Sequence, residues 1–135
     1  MSVFSNLNQT IKQRGSAYVV LIDPDKKNFN SLDQNIRVGN KSNVDAFFVG
    51  GSLMMDSESN NRVANIKKKS EIPLILFPGG VGQLSKHYDA MLFMSVISGR
   101  NSHYLIGEQV IAAPVVKDLG IETIATGYIL LDGGA

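Results

Sequence analysis

The 135-residue chain contains no cysteine, which excludes disulfides, zinc–thiolate centres and cysteine nucleophiles. It has only two histidines, His87 and His103, too few for a multi-histidine metal centre. Charge of either sign is scarce in net terms: the balance is +1. That gives no electrostatic case for a nucleic-acid partner or an anionic membrane surface. No apolar run reaches the roughly 18–20 residues that span a bilayer, so no transmembrane segment is expected. The segment Met1 to Arg14 is polar and lacks the apolar core of a signal peptide. Internal repeats and low-complexity tracts are also missing. The remaining composition, 44% hydrophobic and 19% charged, is that of an ordinary globular protein, and its length suits one domain with a real core. A cytoplasmic enzyme or binding domain is expected.

The most telling stretch is Val19-Val20-Leu21-Ile22-Asp23-Pro24-Asp25-Lys26. A run of β-branched and aliphatic residues without polar alternation suits a parallel strand covered on both faces. Pro24 has no N–H for a sheet ladder and should end the strand. Asp23 and Asp25 then stand at its carboxyl end, where ligands bind in open α/β sheets and α/β barrels. Two acids there suit magnesium, which prefers hard oxygen ligands. Equally, Asp-Pro can be a turn that only terminates the strand.

Further along, strand-like and helix-like segments alternate. Strands are predicted at about Tyr18–Ile22, Ala46–Val49, Pro73–Phe77, Ala90–Val96 and Ile121–Leu131, the last interrupted at Thr126-Gly127. Helices are predicted from near Ser31 to Val38, ended by the loop Gly39–Asn43, and from Ser57 to Lys69 with Asp56 as N-cap. The Lys67-Lys68-Lys69 run reads as a solvated last turn favoured by the helix dipole. Gly82–Asp89 is too short and polar for a full crossover helix. The stretch from Ser102 to Leu119 should bury Leu105, Ile106, Val110, Ala113 and Val116, kink or split at Pro114, and end at Gly120. Such alternation means an α/β protein, a parallel sheet with right-handed βαβ units. Every strand closes in a polar or glycine cluster, and glycines there let the backbone approach a ligand closely. Five such loops on one side of a sheet converge on one site.

The segments Leu21-Ile22-Asp23-Pro24-Asp25-Lys26, Phe48-Val49-Gly50-Gly51-Ser52, Leu76-Phe77-Pro78-Gly79, Ser98-Gly99-Arg100-Asn101 and Thr126-Gly127-Tyr128-Ile129-Leu130 follow the order seen in geranylgeranylglyceryl phosphate synthases. Tyr104-Leu105-Ile106-Gly107 followed by Ala112-Ala113-Pro114 adds to the match. From Tyr18 onward the chain resembles that family, which also includes the heptaprenylglyceryl phosphate synthases. The resemblance implies a (β/α)8 TIM barrel, here incomplete, with about five parallel strands and crossover helices. It implies a transferase that joins the C3 hydroxyl of sn-glycerol 1-phosphate to an allylic prenyl diphosphate, geranylgeranyl diphosphate foremost. Diphosphate leaves and an ether-lipid precursor forms, with Mg2+ on the leaving group.

On that resemblance Asp23 and the hydroxyl of Ser52 take the metal positions, although Ser52 also suits a turn cap after Gly50-Gly51. Asp25 and Lys26 assist with phosphates or are solvated loop residues. Arg100 and Asn101 follow strand four, and arginine offers a planar fork for phosphate oxygens, with a surface ion pair as the alternative. Thr126, Gly127 and Tyr128 line the cavity near the reacting carbons, or Tyr128 is a packed aromatic. Phe47, Phe48, Phe77, Met91, Phe93 and Met94 are candidates for a prenyl tunnel or for core.

Ser102 and Ala125 stand where the family often has proline. The greater departure is length. Family members run to eight strands, and the Tyr-Leu-Glu strand expected to carry the general base would lie beyond Ala135, with the glycerol phosphate loops. An open barrel would leave strands one and five as unpaired edges, a site for self-association, and assemblies are common in the family, so a homo-oligomer is expected. Two other readings stay open: a non-catalytic half-barrel that keeps only metal or diphosphate binding, and a barrel enzyme acting on another phosphorylated metabolite.

Overall fold

The computed structural model describes residues 2–25, 29–51 and 58–131. Helix α1 (Val3–Arg14) precedes β1 (Val19–Ile22), α2 (Phe29–Lys41), β2 (Ala46–Val49), α3 (Ser59–Lys69), β3 (Leu74–Leu76), a 3-10 turn (Val81–Gln83), β4 (Ala90–Val96), a π-helical turn (His103–Gly107), α4 (Glu108–Leu119) and β5 (Glu122–Tyr128). The five strands form one parallel sheet in the order β1-β2-β3-β4-β5. Sequential order with crossovers between neighbours is that of a (β/α)8 barrel over its first five strands. β1 and β5 are the edges of this sheet.

Alternation along the strands splits the core in two. Phe47, Val49, Leu74, Leu76 and Met91 point to the helices and pack with Leu32, Ile36, Val63, Ile66, Ala112 and Val116. Ala46, Ile75, Ala90 and Leu92 point to the other face, with Phe48, Phe77, Met94 and Ile124 beside them. That second face is the concave interior of the barrel. Helix α1 covers it from below, through Val3 and Leu7.

Sequence patterning did not announce α1, because its residues are mostly polar. Its end signals were nonetheless present. Ser2 accepts the Ser5 N–H at 3.1 Å as N-cap, and Gly15 closes the helix in the left-handed region at φ 85°. The Glu122 carboxylate, at the start of β5, accepts the N–H groups of Val3 and Phe4 at 2.7 and 3.0 Å, a favourable charge at a helix N-terminus. At the other end Arg14 pairs with Asp45, which also accepts the Tyr18 N–H at 2.7 Å. The helix is therefore tied beneath the strands at both of its ends.

Helix α2 runs from Phe29 to Lys41, through the glycine expected to end it. Leu32, Ile36 and Gly39 make one buried stripe. A Cβ on Gly39 would come within 2.3 Å of the Phe47 ring, so this glycine exists for close helix–sheet packing. After the helix ends at Lys41 the chain turns at Asn43, in the left-handed region at φ 52°.

Helix α3 begins at Ser59 after Glu58, and the expected cap Asp56 lies outside the described residues. Its lysines are not uniformly solvated. Lys67 donates to both Asp89 oxygens at 2.6 Å, and Asp89 also accepts the Leu74 N–H at 2.8 Å at the entry to β3. Lys69 meets Asp33 of α2 in an exposed pair, which contributes little to stability.

The expected break at Pro114 lies elsewhere. Pro114 sits inside α4 on an exposed side, where water can satisfy the carbonyl it leaves unpaired. The irregularity is the π-helical turn, closed by Glu108 N–H to the His103 carbonyl and by a 2.7 Å His103–Glu108 contact. A π turn inserts one residue, which rotates the following helix by about 100°. The buried stripe of α4 is accordingly Ala112 and Val116, while Leu105, Ile106 and Val110 are exposed. β5 runs unbroken through Thr126-Gly127.

The buried Tyr88 hydroxyl has no hydrogen-bond partner among the described residues. Desolvation pushes its phenol well above the ordinary value of 10. The unfolded chain releases this proton near pH 10 while the folded one retains it. Stability is therefore full below pH 10 and falls above it, by about 1.4 kcal/mol per pH unit from this group. Tyr88→Phe is expected to gain about 1 kcal/mol at pH 7, since it removes an unpaired buried hydroxyl, and to flatten that alkaline decline. Urea titrations at pH 7 and above pH 10 check both; an unchanged or steeper decline in the variant contradicts the assignment.

Candidate active site

The carboxyl ends of the strands gather most of the residues singled out by sequence. β1 is followed by Asp23, half-buried, whose Oδ1 accepts the Asp25 N–H at 3.0 Å. This turn closes locally because an aspartate can bond its own backbone two residues on, and Pro24 between the two acids is buried. From α3 the buried Arg62 donates from Nε to the Pro24 carbonyl at 2.8 Å, so the Asp-Pro-Asp loop is held from behind.

β2 ends in Gly50-Gly51, and the structure shows why both are glycine. A Cβ on Gly50 would lie 2.0 Å from the Phe77 carbonyl oxygen at the end of β3. One on Gly51 would lie 2.6 Å from Asp23 Oδ1. The glycines thus admit the neighbouring strand end and the Asp23 carboxylate. Sequence reasoning assigned them to ligand approach; their first role is to let Asp23 sit directly over the Gly51 backbone. After β3, Gly79 donates its N–H to Gln83 Oε1 at 2.8 Å, and Gln83 Nε2 donates to the Gly51 carbonyl at 2.8 Å.

On the concave face, Phe48, Phe77 and Tyr128 form an aromatic row. Ring centroids are 5.9 Å apart for the first pair and 6.2 Å for the second, which meets edge-on at 82°. Tyr128 is therefore packed and still half-buried at the rim. Thr126 shares its face, with its hydroxyl donating to the Ile124 carbonyl at 2.8 Å. Gly127 falls on the opposite face by strand alternation and is exposed.

Arg100 and Asn101 follow β4 and are exposed. Asn101 is used structurally. Its Oδ1 accepts the His103 N–H at 3.0 Å, and its carbonyl accepts from Tyr104 and Leu105, which starts the π-helical turn. Arg100 makes no ion pair among the described residues, so its fork faces solvent at the rim. It follows β4, three strands along the sheet from β1 and Asp23. Lys26 and Ser52 lie outside the described residues.

The apolar candidates divide. Phe47 is fully buried against the helices. Phe48 and Phe77 face the concave side. Met91, Phe93 and Met94 line a small apolar pocket of about 40 Å³ between β4 and α4, together with Pro78, Val81 and Gln109.

Among the described residues no three acidic or histidine side chains converge on one point. A magnesium ion does not require such a cage; it is held by one or two carboxylates with waters and substrate phosphate oxygens. Asp23, a carboxylate at the strand end seated over Gly51 where a side chain would meet its Oδ1, fits that mode of binding. Sequence reading missed Arg62 and Gln83, because a buried polar side chain is recognised only when its backbone partners are known.

A sequence profile of the PcrB family matches residues 8–135. The chain is 45% identical over 119 residues to the geranylgeranylglyceryl phosphate synthase of Chitinophaga pinensis, covering 88% of this chain and 47% of that protein. It is 37% identical over 134 residues to that of Methanosphaera stadtmanae, covering 99% and 55%. The fold superposes with a TM-score of 0.88 on the crystal structure of (S)-3-O-geranylgeranylglyceryl phosphate synthase from Thermoplasma acidophilum in complex with sn-glycerol-1-phosphate, at 29% identity over 99% of this chain and 54% of that one. The chain spans about half the length of the curated relatives it matches.

Replacing Gly50 by alanine is expected to force the ends of β2 and β3 apart and to lower stability by about 3 kcal/mol. A denaturation midpoint equal to that of the unaltered chain would contradict the crowding described.

Proposed function

The chain belongs to the PcrB family, and on that basis we propose that the protein transfers a prenyl group from an allylic diphosphate to the C3 hydroxyl of sn-glycerol 1-phosphate. Geranylgeranyl diphosphate is the preferred donor in this reading, and the product is a prenylglyceryl phosphate ether for phospholipid synthesis. The observation that carries the reading is the Asp23 carboxylate, held over Gly51 at the concave rim where strand-end loops converge. The similarity to synthases named for this reaction supports the same conclusion.

In this reaction the bond from the allylic carbon to the diphosphate breaks, and a bond from that carbon to the glycerol C3 oxygen forms as the hydroxyl proton passes to a base or to the departing diphosphate. The barrier is dominated by charge separation toward the leaving group. Asp23 and Ser52 are the residues we assign to Mg2+, which when bound neutralises diphosphate as a Lewis acid. Arg100, exposed at the rim, binds phosphate oxygens through its fork. Asp25 and Lys26, which follow Asp23 in the sequence, are assigned to help with phosphates in the same reading. Phe48, Phe77 and Tyr128 keep water from the allylic carbon and offer ring faces to its developing positive charge. Asn101 positions the π-helical turn behind Arg100, and Thr126, on the same face as Tyr128, completes the β5 side.

No helix among the described residues is long and apolar enough to cross a membrane, and a cytoplasmic enzyme fits this reading. A homo-oligomer belongs to the same reading, as the resemblance to the family implies.

Purified protein given geranylgeranyl diphosphate, sn-glycerol 1-phosphate and Mg2+ is expected to release diphosphate and form the ether. No release with any allylic diphosphate overturns the reading. Asp23→Ala is expected to lower kcat by about 10²–10³, the scale of losing a main electrostatic contributor; near-normal kcat removes Asp23 from the site. Arg100→Ala is expected to raise KM for the diphosphate about tenfold or more, the worth of one charged hydrogen bond, with kcat little changed. An unchanged KM returns Arg100 to an ordinary surface residue.

A further inference from the structure

Gln83 is a buried polar side chain, 8% exposed, on the short 3-10 turn after β3. Packing alone gives no reason for an amide there, since a methionine of similar volume would fill the space without desolvating polar atoms. Its carboxamide is instead used at both atoms. Oε1 accepts the Gly79 N–H at 2.8 Å, and Nε2 donates to the Gly51 carbonyl at 2.8 Å. The amide orientation is forced, because the first partner is a donor and the second an acceptor. The three groups are close-packed: a Cβ on Gly79 would meet Gln83 Nε2 at 3.0 Å and the Gly51 carbonyl oxygen at 3.2 Å. At Gly51 itself the Asp23 carboxylate comes close: its Oδ1 lies 2.6 Å from where a Gly51 Cβ would be. A continuous line of contact therefore runs from the loop after β3, through one carboxamide and one peptide plane, to the carboxylate at the end of β1.

We propose that Gln83 is a positioning residue of the active site: it fixes the Gly51 peptide under Asp23 and so sets which carboxylate oxygen is offered to a divalent cation. This rests on the reading of Asp23 as a cation ligand. Gln83 stands to Asp23 as an outer partner stands to a metal ligand, and loss of such partners commonly lowers metal affinity 10–100-fold. Gln83 also couples two loops, so a change at the loop after β3 would be felt at the Asp23 carboxylate.

The test uses Mn2+ alone as the probe, titrated by electron paramagnetic resonance, with thermal midpoints and amide exchange measured on the same samples. Gln83→Met keeps the volume and removes both hydrogen bonds. It is expected to weaken Mn2+ binding about tenfold or more at a temperature where the variant is fully folded, and to speed exchange at the Gly79 amide. Gln83→Glu keeps an oxygen for the Gly79 N–H, so protection at Gly79 should survive there and be lost in Gln83→Met. If Gln83→Met does not fold, Gln83→Asn, one methylene too short to reach both partners, takes its place with the same expectation. Mn2+ affinity within twofold of the unaltered protein, in a folded Gln83 variant, overturns the proposal provided Asp23→Ala abolishes binding. If Asp23→Ala binds Mn2+ as the unaltered protein does, or if the unaltered protein binds none, the reading of Asp23 fails and the role of Gln83 falls with it.

Discussion

The close approach of three strand ends governs this structure. β1, β2 and β3 pair in register, Ile22 beside Val49 beside Leu76, and the residues that follow have almost no lateral room. Gly50 lies against the Phe77 carbonyl and Gly51 against the Asp23 carboxylate. Ladder bonds continue past the strands proper, from Gly50 N–H to the Ile22 carbonyl at 3.2 Å and from Phe77 N–H to the Val49 carbonyl at 2.9 Å. A side chain at either glycine would separate those ends, and with them the carboxylate that depends on the gap. Arg62 and Gln83 act on the same constraint from two sides, one holding the loop that carries Asp23 and the other the peptide beneath it.

The two faces of the sheet divide the labour. The outer face is densely packed, with Phe47, Val49, Leu74 and Leu76 fully buried under α2, α3 and α4, which makes it a rigid support. The concave face holds small residues low down, Ala46 and Ala90, and aromatic ones at the rim, Phe48, Phe77 and Tyr128. Helix α1 closes it below through Glu122 and Asp45. Ligand access is left at the rim, where Asp23 and Arg100 stand at opposite sides of the strand-end surface.

Much of this was legible in the sequence, for physical reasons. A continuous aliphatic run stopped by proline leaves few alternatives to a buried strand, so β1 and its terminal acids could be placed. β2 and β4 were bounded correctly because apolar runs met glycine or polar clusters. Other features depend on partners distant in sequence. Gly39 reads as a helix terminator until Phe47 is seen beneath it. α1 lacks an apolar stripe strong enough to stand out, and its anchors are Glu122 and Asp45, far along the chain. On the stretch leading into α4, Val116 is buried as expected, but Ala112 takes the place of Ala113 and Leu105, Ile106 and Val110 are exposed, because the π-helical turn changes the helical phase, and no propensity rule signals such an insertion. The strand stopped by proline brought Asp23 to notice and the segment after β4 brought Arg100; only the three-dimensional fold brings out Gln83 and Arg62.

The central claim is that the Asp23 carboxylate at the concave rim is a cation and diphosphate site. Anomalous diffraction from crystals grown with Mn2+ and inorganic diphosphate tests it most directly. A manganese peak is predicted roughly 2 Å from an Asp23 carboxylate oxygen, with diphosphate extending along the rim toward Arg100. Manganese bound elsewhere on the molecule, with the Asp23 carboxylate uncoordinated, would contradict it.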